Sequence, residues 1–248
     1  MEGVKFIMEV NRSERSKVLE LLTNAKNLNE AVDGLDLSDQ DLTFSDLSEV
    51  IVDGTLAKRI KLRASSLTRA SFLDCDFESA DFSNCNLEEI DIADCVLSRA
   101  NFYKANLKKA KLNISMCVET CFDEVDFTDG ELIGSTLMNA TLRNANLTGI
   151  YAKQVSCSGA NFSGAILKEC NFQGATLIGA VLSDVDARNA NFAGGDLTGA
   201  TLCNSDFTGV DFTGAKLDNV VWTGSKIEGA IFDMDVKDQV LKMAKGPF

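Results

Sequence analysis

The sequence predicts an all-β solenoid, a chain that coils around its own apolar core. Three observations lead there. Every fifth position from Leu37 to Phe232, forty in all, is apolar and mostly Leu or Phe. Two residues before each lies a second series, at the multiples of five, that is mostly small: Ala70, Cys75, Ala80, Cys85, Ala100, Ala140 and Ala200 are typical. No insertion shifts this register, and the single proline, Pro247, lies beyond it. A period of five fits neither a helix at 3.6 nor a plain strand at 2. One large and one small inward residue in every five require a short extended segment and then a sharp turn. Glycines such as Gly164, Gly179 and Gly199 stand where such turns need unusual backbone angles.

Taken in order, residues 1–34 read as an N-terminal strand and a capping helix. Val4, Phe6, Met8 and Val10 alternate as a strand does. Residues 13–32 read as an amphipathic helix with Ser13 as N-cap and an apolar stripe of Val18, Leu19, Leu22, Ala25, Leu28 and Val32. Gly34 is expected to end it. Residues 35–232 form the repeat. Gln40 is a polar misfit near its start, and Val52, Ala57, Cys117, Ala152, Cys157, Ala187 and Trp222 replace Leu, Phe or Ile at central positions. Ala152 and Cys157 are consecutive undersized centres, so 150–159 is expected to be under-filled. Residues 233–248 read as a C-terminal cap. A helix over 235–245 would turn Val236, Val240, Met243 and Ala244 one way before Gly246-Pro247 stops it. A coiled sheet is open at both ends, and caps are the expected cover. Val236, Val240 and Met243 could equally form a homodimer contact.

Units such as Ala160-Asn161-Phe162-Ser163-Gly164 and Ala175-Thr176-Leu177-Ile178-Gly179 carry the pattern A(D/N)LxG. The pattern resembles the pentapeptide-repeat family over about four-fifths of the chain. The resemblance implies a right-handed, quadrilateral β-helix with four pentapeptides in each turn. It implies about ten coils, each ~4.8 Å above the last, and a rod of roughly 48 Å.

A turn of twenty residues makes i and i+20 stacked neighbours, and the charges test this independently. Along Glu49, Arg69, Glu89, Lys109 and Asp129 the sign alternates at every step, as it does along Asp91, Lys111 and Glu131. Lys58–Glu78, Lys61–Asp81, Glu88–Lys108, Arg99–Glu119 and Lys104–Glu124 are further opposite pairs, while Lys168–Arg188 and Asp186–Asp206 are like pairs. Opposite charges facing each other on stacked strands are favourable. The basic band at 58–69 and the acidic band at 74–94 are then successive coils that neutralise each other. The core also repeats at twenty: Phe82, Phe102 and Phe122 should stack, as should Phe172, Phe192, Phe212 and Phe232.

The functional reading is a non-enzymatic protein-interaction scaffold that presents a rigid acidic rod. The chain has no histidine, which removes the commonest general base and metal ligand. No catalytic, cofactor-binding or metal-binding residue is expected. A net charge of −13 argues against direct nucleic-acid binding. Without an apolar run long enough to span a bilayer or a secretion signal, the expectation is a cytoplasmic protein with no membrane role. Most of the eight cysteines fall on inward positions, Cys121 and Cys203 point outward, and a reducing compartment fits them better than disulfides. Some members of the family the pattern resembles bind DNA gyrase as mimics of the duplex and protect against quinolones or toxins. This makes a modulator of DNA gyrase or topoisomerase the alternative, with Asp184, Asp186, Asp196, Asp206, Asp211 and Asp218 as its acidic surface. For the scaffold, the candidate partner site is an apolar cluster on outward positions: Val96, Met116, Val118 and Met138, with Ile178 further along.

Overall fold

The computed structural model describes residues 15–234 together with Val236 and Val240. The alternating segment Val4–Val10, the proposed N-cap Ser13, Met243, Ala244 and most of the helix expected at 235–245 lie outside the described residues.

Helix α1 (Arg15–Leu28) opens the described chain and buries Val18 and Leu22, with Leu19, Leu21 and Ala25 partly buried against the same core. Arg15 ties it down by donating from Nη2 to the Thr43 carbonyl (2.7 Å) and to Ser45 Oγ (3.1 Å). The helix stops earlier than the sequence suggests. Asn29 takes the left-handed φ of 54°, and the Glu30 amide donates back to the Ala25 carbonyl at 2.9 Å. Asparagine tolerates that conformation at a helix end. Val32 therefore belongs not to the helix but to strand β1, and Gly34 is the first turn residue of the repeat.

The coil begins at Ala31 rather than at residue 35. Strands β1 (Ala31–Asp33), β2 (Ile51–Asp53), β3 (Ser71–Leu73) and β4 (Asp91–Ala93) pair in parallel in that order, each residue with the one twenty further on. The same register continues on three other faces, as in Asp36↔Leu56, Asp41↔Lys61 and Asp46↔Ser66, and runs to Asp211↔Ile231. Four bridged columns in twenty residues make a four-sided parallel β-helix. We call the face of Val52 and Phe72 the first, and those of Leu97, Phe102 and Leu107 the second, third and fourth.

The repeat motif has a local cause at each of its positions. Every fifth residue from Gly34 to Gly229 has φ between 51° and 77°. The Asp or Asn before the central residue accepts the amide two residues on. Examples are Asp41 Oδ1 from Thr43 (3.1 Å), Asn161 Oδ1 from Ser163 (2.9 Å) and Asp211 Oδ1 from Thr213 (2.9 Å). This Asx turn sets the bend before the left-handed residue closes it. The small inward position often carries a hydroxyl or thiol that stands in for a missing turn bond. The Cys75 amide donates to Cys95 Sγ (3.3 Å), the Cys95 amide to Ser115 Oγ (3.2 Å) and the Ser115 amide to Ser135 Oγ (3.1 Å). All eight cysteines are free.

The core fills as the period of twenty requires. Phe82, Phe102 and Phe122 stack at 4.7 and 5.0 Å, and Phe172, Phe192, Phe212 and Phe232 at 5.5, 5.7 and 5.2 Å. In the segment 150–159, Ile150 and Val155 occupy sites that are usually small and are buried beside Ala152 and Cys157, which offsets part of the volume those two lack.

Candidate functional surface

No group of acidic or cysteine side chains among the described residues is arranged to hold a metal ion. No described helix is long and apolar enough to cross a membrane.

The ladder register brings the predicted apolar residues of the second face together. Val96 and Met116 are bridge partners, and the Leu97 amide bonds the Met116 carbonyl at 2.7 Å. One column over, Val118 lies beneath Met138, whose carbonyl accepts from the Glu119 amide at 2.9 Å. Met116 is 51% exposed, Met138 42% and Ile178 44%, while Val96 and Val118 are half-buried. Ile178 is not contiguous with the rest, since Ser158 separates it from Met138 in the same column. The sequence reading missed Ile114, which is 68% exposed at the corner between the first and second faces and two residues from Met116. Exposed Leu56 and Leu73 were also missed.

The possible dimer residues stand differently. Val240 is buried and belongs to the chain's own core, and Val236 packs partly against that core.

Ion pairs cover much of the rest of the surface. At spacing twenty, Lys58–Glu78 (2.9 Å), Lys104–Glu124 (3.4 Å), Lys109–Glu89 (3.6 Å) and Lys111–Glu131 (3.8 Å) close, as does Arg69–Glu49. Other expected pairs do not, because their bases reach diagonally. Arg99 turns to Glu78 rather than Glu119, and Lys108 to Asp126 (3.3 Å) rather than Glu88. Among the described residues, Lys61–Asp81 and Asp91–Lys111 are backbone neighbours without an ion pair. Diagonal reach also relieves the like pairs, since Lys168 meets Asp186 at 3.1 Å. The Arg188 guanidinium and that lysine hold the Asp186 carboxyl down at about 2. Asp196 pairs with Lys216 (3.1 Å) and Asp206 with Lys226 (3.8 Å), so three of the six upper aspartates are neutralised. Burial pushes the Cys117 thiol up to about 12, so it stays protonated and unreactive at neutral pH.

No curated protein matches the chain. The solved structures it resembles include HetL, a pentapeptide repeat protein involved in heterocyst differentiation regulation from the cyanobacterium Nostoc sp. It is 24% identical over 92% of this chain and 98% of HetL, with a TM-score of 0.44. Full-length QnrB1, a plasmid-mediated fluoroquinolone resistance protein, is 19% identical over 86% of this chain and 98% of its own, with a TM-score of 0.42. The family profile for pentapeptide repeats matches in eight copies, over residues 58–92, 75–113, 120–156, 156–194 and 188–224. With the five-residue period, the left-handed turn row and this match in hand, the chain belongs to the pentapeptide-repeat family.

Proposed function

We propose that this protein is a non-enzymatic interaction scaffold, a rigid acidic rod that presents one face to a protein partner. The observation that carries the reading is the contiguous apolar cluster Val96, Met116, Val118 and Met138 on an outer surface otherwise dominated by polar residues and ion pairs. Solenoids work mainly by presenting surface, and an exposed apolar patch is the part of a soluble surface that gains most from being covered. Methionine adapts its shape to a partner at little cost. The test is a double substitution, Met116→Lys with Met138→Lys. Partner capture or self-association is expected to be lost while circular dichroism and melting stay those of the parent. Unchanged pull-down and sedimentation in the folded double variant would sink the reading.

A second reading, duplex mimicry toward DNA gyrase, is favoured by one observation. Asp184, Asp211 and Asp218 make no ion pair among the described residues, on a chain of net charge −13. Against it, the three aspartates between them are neutralised by lysine and arginine. A gyrase supercoiling assay separates the two: inhibition or quinolone protection at micromolar protein selects the mimic, and no effect selects the scaffold.

A further inference from the structure

The pentapeptide 114–118, Ile-Ser-Met-Cys-Val, is built inside out. Its buried positions hold Ser115 and Cys117, and its outward positions hold Ile114, Met116 and Val118. Three other undersized centres follow a larger inward residue, Ile150 before Ala152, Val155 before Cys157 and Val185 before Ala187, whereas Cys117 follows Ser115 and Ala57 follows Thr55. The apolar bulk of this unit has been moved from the core to the surface.

Two further local rules fail at the same place. Ile114 occupies the left-handed turn position with φ 59°. A β-branched side chain is sterically hindered there, and the other residues of that row are mostly glycine, asparagine, aspartate or other polar types. The alternation of charge breaks as well. Asp74 and Asp94 stack on one another beneath Ile114, in a column where alternation would put a base. At the far end of the unit Glu119 is left by Arg99, which turns to Glu78. Asp74, Asp94 and Glu119 are all exposed and make no ion pair among the described residues. Backbone strain, an undersized core position and unpaired like charge are each unfavourable for the isolated chain. Such costs collect where something else compensates them.

We propose that this corner is a docking surface for a protein segment whose apolar side chains are flanked by lysine or arginine. Ile114, Met116, Val118 and Met138 supply the apolar floor, and Asp74, Asp94 and Glu119 supply the acidic rim. The rim repels phosphate, so nucleic acid and anionic lipid do not fit. The proposal rests on the scaffold reading and names the partner's chemistry for it.

The test uses the full chain and two fluorescent synthetic amphipathic helices with the same leucine face, one with lysine and one with glutamate on the polar side. The lysine peptide is expected to bind and the glutamate peptide not. Ile114→Asn with Met116→Thr should weaken binding at least ~10-fold. Asp94→Asn with Glu119→Gln should also weaken it and flatten its salt dependence. The control Glu169→Gln with Glu228→Gln, on and beside the fourth face, should leave it unchanged. Ile114→Asn alone should raise the melting temperature, since asparagine accepts the left-handed turn; a residue kept for stability would lower it. Equal binding of the two peptides, no binding, loss with the control pair, or a lowered melting temperature for Ile114→Asn would each overturn the proposal. If the peptides fail while Met116→Lys with Met138→Lys still abolishes partner capture, the scaffold reading survives and only the basic partner is lost.

Discussion

The lower and upper halves of the rod reach the same left-handed turn with different residues. Below residue 130 the turn row is largely charged or polar, with Arg59, Arg69, Glu89, Lys104, Lys109 and Glu124 among its members. Above it the row is mostly glycine and asparagine. The lower half accepts the clash of a Cβ in that conformation, roughly 1–2 kcal/mol for each residue. It recovers part of this because charged side chains on stacked turns meet, as Arg59 meets Asp39 at 2.7 Å. The upper half avoids the clash at its glycines and lessens it at its asparagines, which tolerate the left-handed region, but gives up most of the charged turn side chains; its core carries the longer phenylalanine stack. One backbone thus tolerates two surface chemistries, and the turn row is where they are chosen.

The largest effect that would test this contrast lies in the upper core. Phe192 is stacked between Phe172 and Phe212, and Phe192→Ala should cost roughly 3–5 kcal/mol in denaturant unfolding. A melting curve close to that of the parent would mean that aromatic stacking does not hold the upper coils. Next is the turn row itself. Gly199 has φ 68°, and a Cβ there would meet nothing within 4 Å, so Gly199→Ala probes backbone strain alone. The expected loss is about 1 kcal/mol; no loss would erase the distinction between the halves. The smallest effect is in the lower half. Arg69→Glu would stack its new carboxylate between Glu49 and Glu89 and should cost at most about 1 kcal/mol. With Glu89→Lys added, the total loss should be smaller than the sum of the two single changes, because the new contact between positions 69 and 89 offsets part of what is lost with the Lys109–Glu89 pair. Strict additivity of the two changes in thermal unfolding would show that stacked turn charges do not interact.

Much of this architecture could be read from the residues. The period of five and the alternation of charge at twenty both appear as simple counts, and the phenylalanine stacks followed from the same register. The helix end was missed because Gly34 looks like a stop, whereas it is the first of a row of turn residues and Asn29 had already ended the helix. The diagonal ion pairs were missed because lysine and arginine are long enough to cross columns, which spacing alone does not reveal. For the candidate surface, Val96, Met116, Val118 and Met138 were legible once stacking was assumed. Ile114 was not, because its position reads as merely polar-facing until the handedness of the turn is known. The signal was nonetheless present: within 114–118 the large residues fall on the three outward positions and the small ones on the two inward positions.

The pairing of each residue with the one twenty further on also governs how the chain can change in length. An insertion of twenty residues would lengthen the rod and leave every later column beneath its old neighbours. An insertion of five would keep every inward residue inward yet rotate everything beyond it by one face. An insertion of any number not divisible by five would turn core side chains outward. Evolution can therefore extend this protein by whole coils while holding the bearing of one face relative to α1, or swing a distal surface to a new bearing by adding a single pentapeptide.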